Sequence, residues 1–240
     1  VNFSYSKNGE YVLKDISFKA EAGQTIGIIG STGSGKSTLV KLIPRLYDPD
    51  AGEILIDGVN IKDLPLERLR QAIGFVSQKA TLFSGTIEYN LGFGKENLTI
   101  ADMSQAAQTA AASEFIDKLE NKYEHQLMQG TTNLSGGQKQ RLSMARAFIR
   151  EPHILILDDS TSAIDALSET VVQQALKEDY ANTTVFIISS KVSSIIDADK
   201  ILVMEDGRIE ACGTHEELLT TSKVYRDIYA SQRGGGLMYE

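Results

Sequence analysis

Residues 30–38 read Gly-Ser-Thr-Gly-Ser-Gly-Lys-Ser-Thr, and no other stretch constrains the fold of this chain as tightly. The run satisfies G-x-x-x-x-G-K-[ST], the phosphate-loop pattern, with an additional glycine at position 33. Its context is the one that the pattern needs. Thr25–Ile29 reads as a short apolar strand, and Ser37–Leu46 as a helix with Leu39, Val40, Leu42, Ile43 and Leu46 at helical spacing. Gly30, Gly33 and Gly35 allow backbone conformations and close approaches that a side chain would block. With Ser31, Thr32 and Ser34 they offer backbone amides as an anion nest, reinforced by the start of the helix. Lys36 can bring a point charge to the β- and γ-phosphates of a nucleotide, the Ser37 hydroxyl can ligate Mg2+, and Thr38 can reach an α-phosphate oxygen.

A second acidic motif fits the first. Residues 154–159 read Ile-Leu-Ile-Leu-Asp-Asp, an apolar strand with a carboxylate emerging at its end. Ligands of open α/β sheets bind beyond the carboxyl ends of the strands. That position suits Asp158 to hold Mg2+, directly or through water.

The rest of the chain reads as an α/β core interrupted by a helical block. Ser17–Lys19, Ile73–Val76, Thr184–Ile188 and Ile201–Met204 have strand character, with hairpins turning at Asp57-Gly58 within Glu53–Ile61 and at Asp206-Gly207. From about Gln78 to Arg150, helix-forming runs such as Ala101–Ala112 and Gly136–Ile149 dominate. Thr-His-Glu-Glu from Thr214 is a capping box that opens a last helix. Strands alternating with helices predict a mostly parallel sheet with helices on both faces. The expected division is 1–77 and 151–231 as a phosphate-loop core with a small antiparallel β subdomain, 78–150 as a helical subdomain, and 232–240 as a flexible tail containing Gly234–Gly236.

Composition narrows the function classes. The chain has 240 residues, 42% of them hydrophobic, which is enough for a real core. Its net charge of −8 argues against a nucleic-acid partner, which calls for a basic surface. No run approaches the ~20 apolar residues that span a bilayer, so no direct insertion is expected. The one cysteine, Cys212, excludes an intrachain disulfide, fits a reducing compartment, and reads as a small core residue. No leader is visible, and the start at Val1 suggests a piece of a longer polypeptide or a processed chain.

Residues 134–138 read Leu-Ser-Gly-Gly-Gln, followed by Lys-Gln-Arg. A serine hydroxyl and glycine amides at a helix start make a further anion site from Ser135, Gly136, Gly137 and Gln138. This run resembles the signature of ATP-binding-cassette (ABC) ATPases. The likeness implies a RecA-like P-loop NTPase fold, ATP and Mg2+ as cofactors, and a head-to-tail dimer in which each signature covers the ATP of the other subunit. The resemblance extends over nearly the whole chain. Tyr5 matches the aromatic that stacks on adenine, with Tyr11 as the other candidate. Gln78 resembles the glutamine that touches Mg2+ and water, and Ser162-Ala163-Ile164-Asp165 the D-loop of the dimer contact. Leu82–Ile87, with Asn90-Leu91, is similar to the exporter branch, where the helical block meets coupling helices of a transmembrane partner. The resemblance thus implies a domain at the cytoplasmic face of a membrane that couples ATP hydrolysis to export.

Three departures from the family pattern bear on catalysis. The residue after Asp158 is usually the glutamate that polarises the attacking water; here it is Asp159, set back by roughly 1 Å, a misplacement on the scale that costs about a hundredfold in rate. After the strand ending at Ile188 the family usually has a histidine that contacts the γ-phosphate; here it is Ser190, which carries no charge and reaches less far. His125, His153 and His215 lie elsewhere and read as surface or loop residues. Residues 127–133 lack the acidic Glu-Arg-Gly pattern of most homodimeric exporters. Together these features predict the degenerate, poorly hydrolysing half of a heterodimeric exporter. The competing expectations are an active homodimeric exporter ATPase and a soluble ABC ATPase not tied to transport.

Overall fold

The central strand forms because Ile26, Ile28 and Ile29 make a run that only a strand covered on both faces can bury. The computed structural model describes residues 1–6, 9–95, 97–128 and 133–234 as two compact units: 1–70 with 184–240, and 71–183. In chain order the strands are β1 (Thr25–Gly30), β2 (Leu55–Ile56), β3 (Val59–Asn60), β4 (Ile73–Val76), β5 (Gly85–Thr86), β6 (Gln126–Leu127), β7 (Ile154–Asp158), β8 (Thr184–Ile188), β9 (Lys200–Glu205) and β10 (Arg208–Gly213). The helices are α1 (Lys36–Leu42), α2 (Leu66–Gln71), α3 (Ile87–Leu91), α4 (Ile100–Thr109), α5 (Ser113–Asp117), α6 (Gly136–Phe148), α7 (Ala166–Glu178), α8 (His215–Thr221) and α9 (Lys223–Gly234).

In the first unit, β1 pairs in parallel with β8 on one side and β9 on the other, and β10 closes the far side of β9 antiparallel. Gly27 faces Ile187 and Ile201, and a Cβ there would stand 2.9 Å from the Ile195 side chain, so the strand needs a glycine for close packing. The β9–β10 turn has φ of 46° at Asp206 and 80° at Gly207, and the β2–β3 turn repeats this with 51° at Asp57 and 78° at Gly58. Two successive positive φ values are what a two-residue hairpin demands. Gly207 is doubly constrained, because an added Cβ would run into the Val12 carbonyl while its own carbonyl accepts from the Lys14 amide at 2.8 Å. Gly207→Ala should therefore destabilise the chain by about 2–3 kcal/mol, read as a lower urea midpoint at unchanged m-value.

The second unit carries the parallel pair β4–β7, in register from Ile73 opposite Ile154 to Val76 opposite Leu157. Around it, α6 buries Leu142, Met144, Ala145, Ala147 and Phe148. Arg141 on the same helix donates to the Ala111 carbonyl at 2.9 Å and the Ser168 hydroxyl at 3.1 Å, with its guanidinium over the Phe115 ring.

Three local expectations need correction. Ser17–Lys19 is not a strand: Phe18 docks edge-on against Phe186, but the segment joins no ladder. The first helix stops at Leu42, not Leu46, because Pro44 has no amide to continue the hydrogen bonds and Arg45 turns to a φ of 53°. Cys212 is exposed, since β10 alternates outward and half-buried positions and Cys212 falls on an outward one. Among the histidines, His153 is exposed and His125 and His215 are half-buried. Residues 232–234 of the expected tail continue helix α9, while 235–240 and residues 129–132 of the segment before Leu134 lie outside the described residues. Among the described residues no helix is long and apolar enough to cross a membrane.

Candidate functional site

Each unit carries its own share of the motif residues. In the first, β1 delivers the chain to Gly30, and the loop then turns through Gly33 at φ 84° and Gly35 at φ 97°. At Gly35 an added Cβ would come within 2.8 Å of Leu13, so the turn is closed to larger residues. Gly35 caps α1 without a side chain, whereas α4, α6, α7 and α8 have their first-turn amides capped by Thr99, Ser135, Asp165 and Thr214. An anion can take the place that a capping side chain takes elsewhere, and the glycine cradle leaves room for phosphate oxygens.

The Lys36 ammonium donates to the Gly30 carbonyl at 2.8 Å and the Ser31 carbonyl at 2.7 Å. A polyphosphate offers this cation a charged and therefore stronger acceptor. Ser31, Thr32 and Gly33 are exposed, Ser34 is buried, and Ser37 is half-buried. Thr38 shares a hydrogen bond with the Tyr5 hydroxyl at 3.0 Å, which brings Tyr5 to the phosphate loop. The Tyr5 ring stands edge-on to Phe3 and Tyr47 and remains 53% exposed, leaving a face for a planar ligand. Ser190, just past β8, is exposed and lines a cavity of about 310 Å³ together with Gly30, Ser31, Glu205 and Asp227. The structure thus brings Tyr5, the phosphate loop and Ser190 together.

In the second unit β7 buries Leu155, Ile156 and Leu157 and ends on Asp158, which is 3% exposed. Asp159 follows at φ 47°, a left-handed conformation that aspartate tolerates better than most residues. The register of Val76 opposite Leu157 sends the chain after both strands out at the same end. Gln78 and Asp159, each two residues further on, consequently meet: Gln78 Nε2 donates to Asp159 Oδ2 at 3.2 Å.

Ser135 caps α6 by accepting from the Gln138 amide at 3.2 Å, and its own amide donates to Gln138 Oε1 at 2.8 Å. The Ser135 hydroxyl thus serves the helix as acceptor while its proton can still be given to an anion. Gly136 faces open space, and a Cβ on Gly137 would stand 2.9 Å from the Ala163 carbonyl. That glycine lets the signature pack against Ser162–Asp165. Asp165 caps α7, and hydrogen bonds from the Ser168 amide and hydroxyl hold its carboxyl below the usual range. Asn90, fully buried, fixes the 83–86 loop by accepting from the Phe83 amide at 2.8 Å and donating to the Phe83 and Thr86 carbonyls at 2.9 and 3.0 Å. The fixed loop and α3 present Phe83, Tyr89 and Phe93 as exposed aromatics.

Two polar anchors escaped the sequence reading. Gln140, buried on α6, donates to the Ser77 carbonyl at 3.1 Å and so ties the signature helix to the residue before Gln78. Gln232 on α9 bonds the loop of Ser190. Neither carries a local signal, because an isolated glutamine on a helix reads as surface.

Among the described residues no group of three or more His, Cys, Asp or Glu could form a metal cage. The Ser37 hydroxyl in the first unit and the Asp158 carboxylate in the second are each oxygen donors of the kind that Mg2+, a hard ion, takes.

Comparison with known proteins agrees with this chemistry. The ABC transporter family profile matches residues 13–162. The ABC transporter ATP-binding protein YfiB of Bacillus subtilis is 49% identical over 234 residues, covering 98% of this chain and 40% of that protein. ABC transporter B family member 21 of Arabidopsis thaliana is 44% identical over 220 residues, covering 91% of this chain and 17% of that protein. A solved structure of a bacterial Atm1-family ABC exporter with ATP bound matches with a TM-score of 0.93 and 36% identity, over 97% of this chain and 41% of that one. The chain therefore spans well under half the length of these relatives.

Proposed function

The chain belongs to the ABC transporter family, and from that premise we propose that it is the nucleotide-binding domain of an exporter and the poorly hydrolysing half of a heterodimer. One pattern carries the reading: the phosphate loop and signature are complete, whereas Asp159 and Ser190, at the two positions that act on water and γ-phosphate, are both shortened.

In this reading Gly30–Gly35 cradle the phosphates through backbone amides, Lys36 and Thr38 bind phosphate oxygens, and Tyr5 stacks on the adenine. Ser37, Gln78 and Asp158 are the residues assigned to Mg2+. Bound by these residues, Mg2+ would offset the negative charge of the phosphates. Asp159 is the base for the attacking water, positioned by its bond from Gln78 at 3.2 Å. Ser190 donates a neutral hydrogen bond where an imidazolium would bring charge. Ser135, Gly136, Gly137 and Gln138 face the ATP of a second nucleotide-binding domain, a different chain arranged head to tail. Phe83 and Phe93, exposed with ring centroids 4.8 Å apart, suit the coupling helices of a transmembrane domain, and such a partner would hold this domain at the cytoplasmic face of a membrane. The net charge of −8 speaks against nucleic acid as a partner.

The test is MgATP turnover by phosphate release, beside a binding titration. The expected result is clear ATP binding with turnover no higher than that of a Lys36→Ala control. Turnover near 10 s⁻¹, ordinary for an enzyme, would overturn the degenerate assignment. It would favour the second reading, an active homodimeric exporter ATPase, which draws on the carboxylate that Asp159 retains.

A further inference from the structure

We propose that Gln232, on the C-terminal helix α9, is a positioning residue that sets the loop carrying Ser190 against the phosphate loop. The proposal rests on the assignment of Ser190 to the γ-phosphate position. The Gln232 carboxamide meets that loop at two points: Nε2 donates to the Ser190 carbonyl at 2.7 Å, and the Val192 amide donates to Oε1 at 2.8 Å. A carboxamide carries the same donor and acceptor as a peptide group. The contact therefore reproduces one rung of a strand ladder, supplied by a side chain about 40 residues away.

The surroundings give this rung its importance. Upstream, the Ser189 amide donates to the Ile28 carbonyl at 3.2 Å, and the Lys191 amide donates to the Ser189 hydroxyl at 3.0 Å. Downstream, the backbone tightens into a single turn over Val192–Ser194. Between these anchors Ser190 is exposed with open space on both sides. One side is the cavity of about 310 Å³ shared with Gly30 and Ser31. The other is a cavity of about 640 Å³ lined by Lys191, Ser193, Tyr229, Gln232 and Arg233. Ser189 and Val192 are buried on either side, so packing holds the two ends of the loop and the paired hydrogen bonds tie the exposed Ser190–Lys191 stretch between them to α9.

The helix that presents Gln232 is anchored in its first turn. Tyr225 on α9 is fully buried, and its hydroxyl shares a hydrogen bond with His215 Nδ1 at 2.8 Å. Burial pushes the Tyr225 phenol up to about 12, so it stays protonated and available as the donor. Arg226 donates to the Leu219 and Thr220 carbonyls at 3.2 and 2.9 Å. A functional group held by side chains that are themselves locked is placed more accurately than one on a free loop.

The test is Gln232→Met, which keeps length and helix propensity but removes both hydrogen bonds. It is made in the 240-residue chain and in the same chain carrying Asp159→Glu and Ser190→His. Hydrogen exchange at the Val192 amide should rise about tenfold or more while β8 stays protected. In the doubly changed background kcat should fall about tenfold with ATP affinity within about twofold, as expected for a misplaced rather than a missing group. Unchanged exchange at Val192 or unchanged kcat would overturn the proposal. So would exchange that rises throughout β8 together with a lower urea midpoint, which would mark Gln232 as merely structural. If the background itself fails to turn over, the catalytic reading of Ser190 has failed, and the exchange at Val192 still decides whether Gln232 holds the loop.

Discussion

Changing Asp159 to Glu and Ser190 to His together should raise MgATP turnover of this chain about a hundredfold or more. The added methylene moves the carboxylate forward by roughly 1 Å, and misplacement on that scale is worth about a hundredfold in rate. The starting geometry favours recovery, because Asp159 already accepts from Gln78 at 3.2 Å and the longer side chain inherits a neighbour that can orient it. Ser190 borders open space beside Gly30 and Ser31, so an imidazole fits there without displacing the core. Asp159→Glu alone should give the larger part, since a positioned general base contributes about 10²–10⁴. Ser190→His alone should give little, because a γ-phosphate contact is of small use to a water that lacks its base. The left-handed φ of 47° at position 159 suits aspartate better than glutamate, so the gain in rate should come with a small loss of stability. The decisive comparison is phosphate release by all four proteins at saturating ATP. Equal turnover across the set would show that neither position limits hydrolysis.

Lys36→Ala should weaken ATP binding about 10–100-fold, while the fold is retained. A hydrogen bond to a charged group contributes about 1.5–3 kcal/mol, and about 1.4 kcal/mol is tenfold in affinity. In the structure the ammonium bridges the Gly30 and Ser31 carbonyls at 2.8 and 2.7 Å, both on a half-exposed loop, so its loss costs stability little. Titration with a fluorescent ATP analogue, alongside thermal unfolding without nucleotide, separates the two effects. An affinity change below twofold would mean that the backbone cradle binds phosphate without Lys36. A large fall in melting temperature would mean that Lys36 is first a structural residue.

Most of the fold was legible because its signals are local. β1 and β7 are continuous apolar runs, both hairpin turns carry Asp-Gly, and the capping box at Thr214 forms as expected, with the Glu217 amide bonded to the Thr214 hydroxyl and the Thr214 amide to Glu217 Oε2. Errors arose where a neighbour decides. Ser17–Lys19 has strand-like composition but no partner backbone, and a ladder is a property of two segments. The length of α1 turned on Pro44, a single residue whose missing amide outweighs the apolar periodicity that runs on to Leu46. Cys212 followed the phase of β10, which its residue type does not reveal.

The sequence by itself determined which chemistry each segment can do. Three glycines, a lysine and five hydroxyls within nine residues suit phosphate wherever they fold, and a shortened carboxylate at Asp159 is short in any geometry. Only the tertiary structure decided which of these groups act together. It joined Tyr5 to Thr38, Gln78 to Asp159, Gln140 to Ser77 and Gln232 to the loop of Ser190. These partners lie 33, 81, 63 and 42 residues apart. The physical reason is that a hydrogen bond depends on position to a few tenths of an ångström. Periodicity and propensity fix the face a residue points from, whereas that accuracy comes from strand register and helix packing over the whole unit.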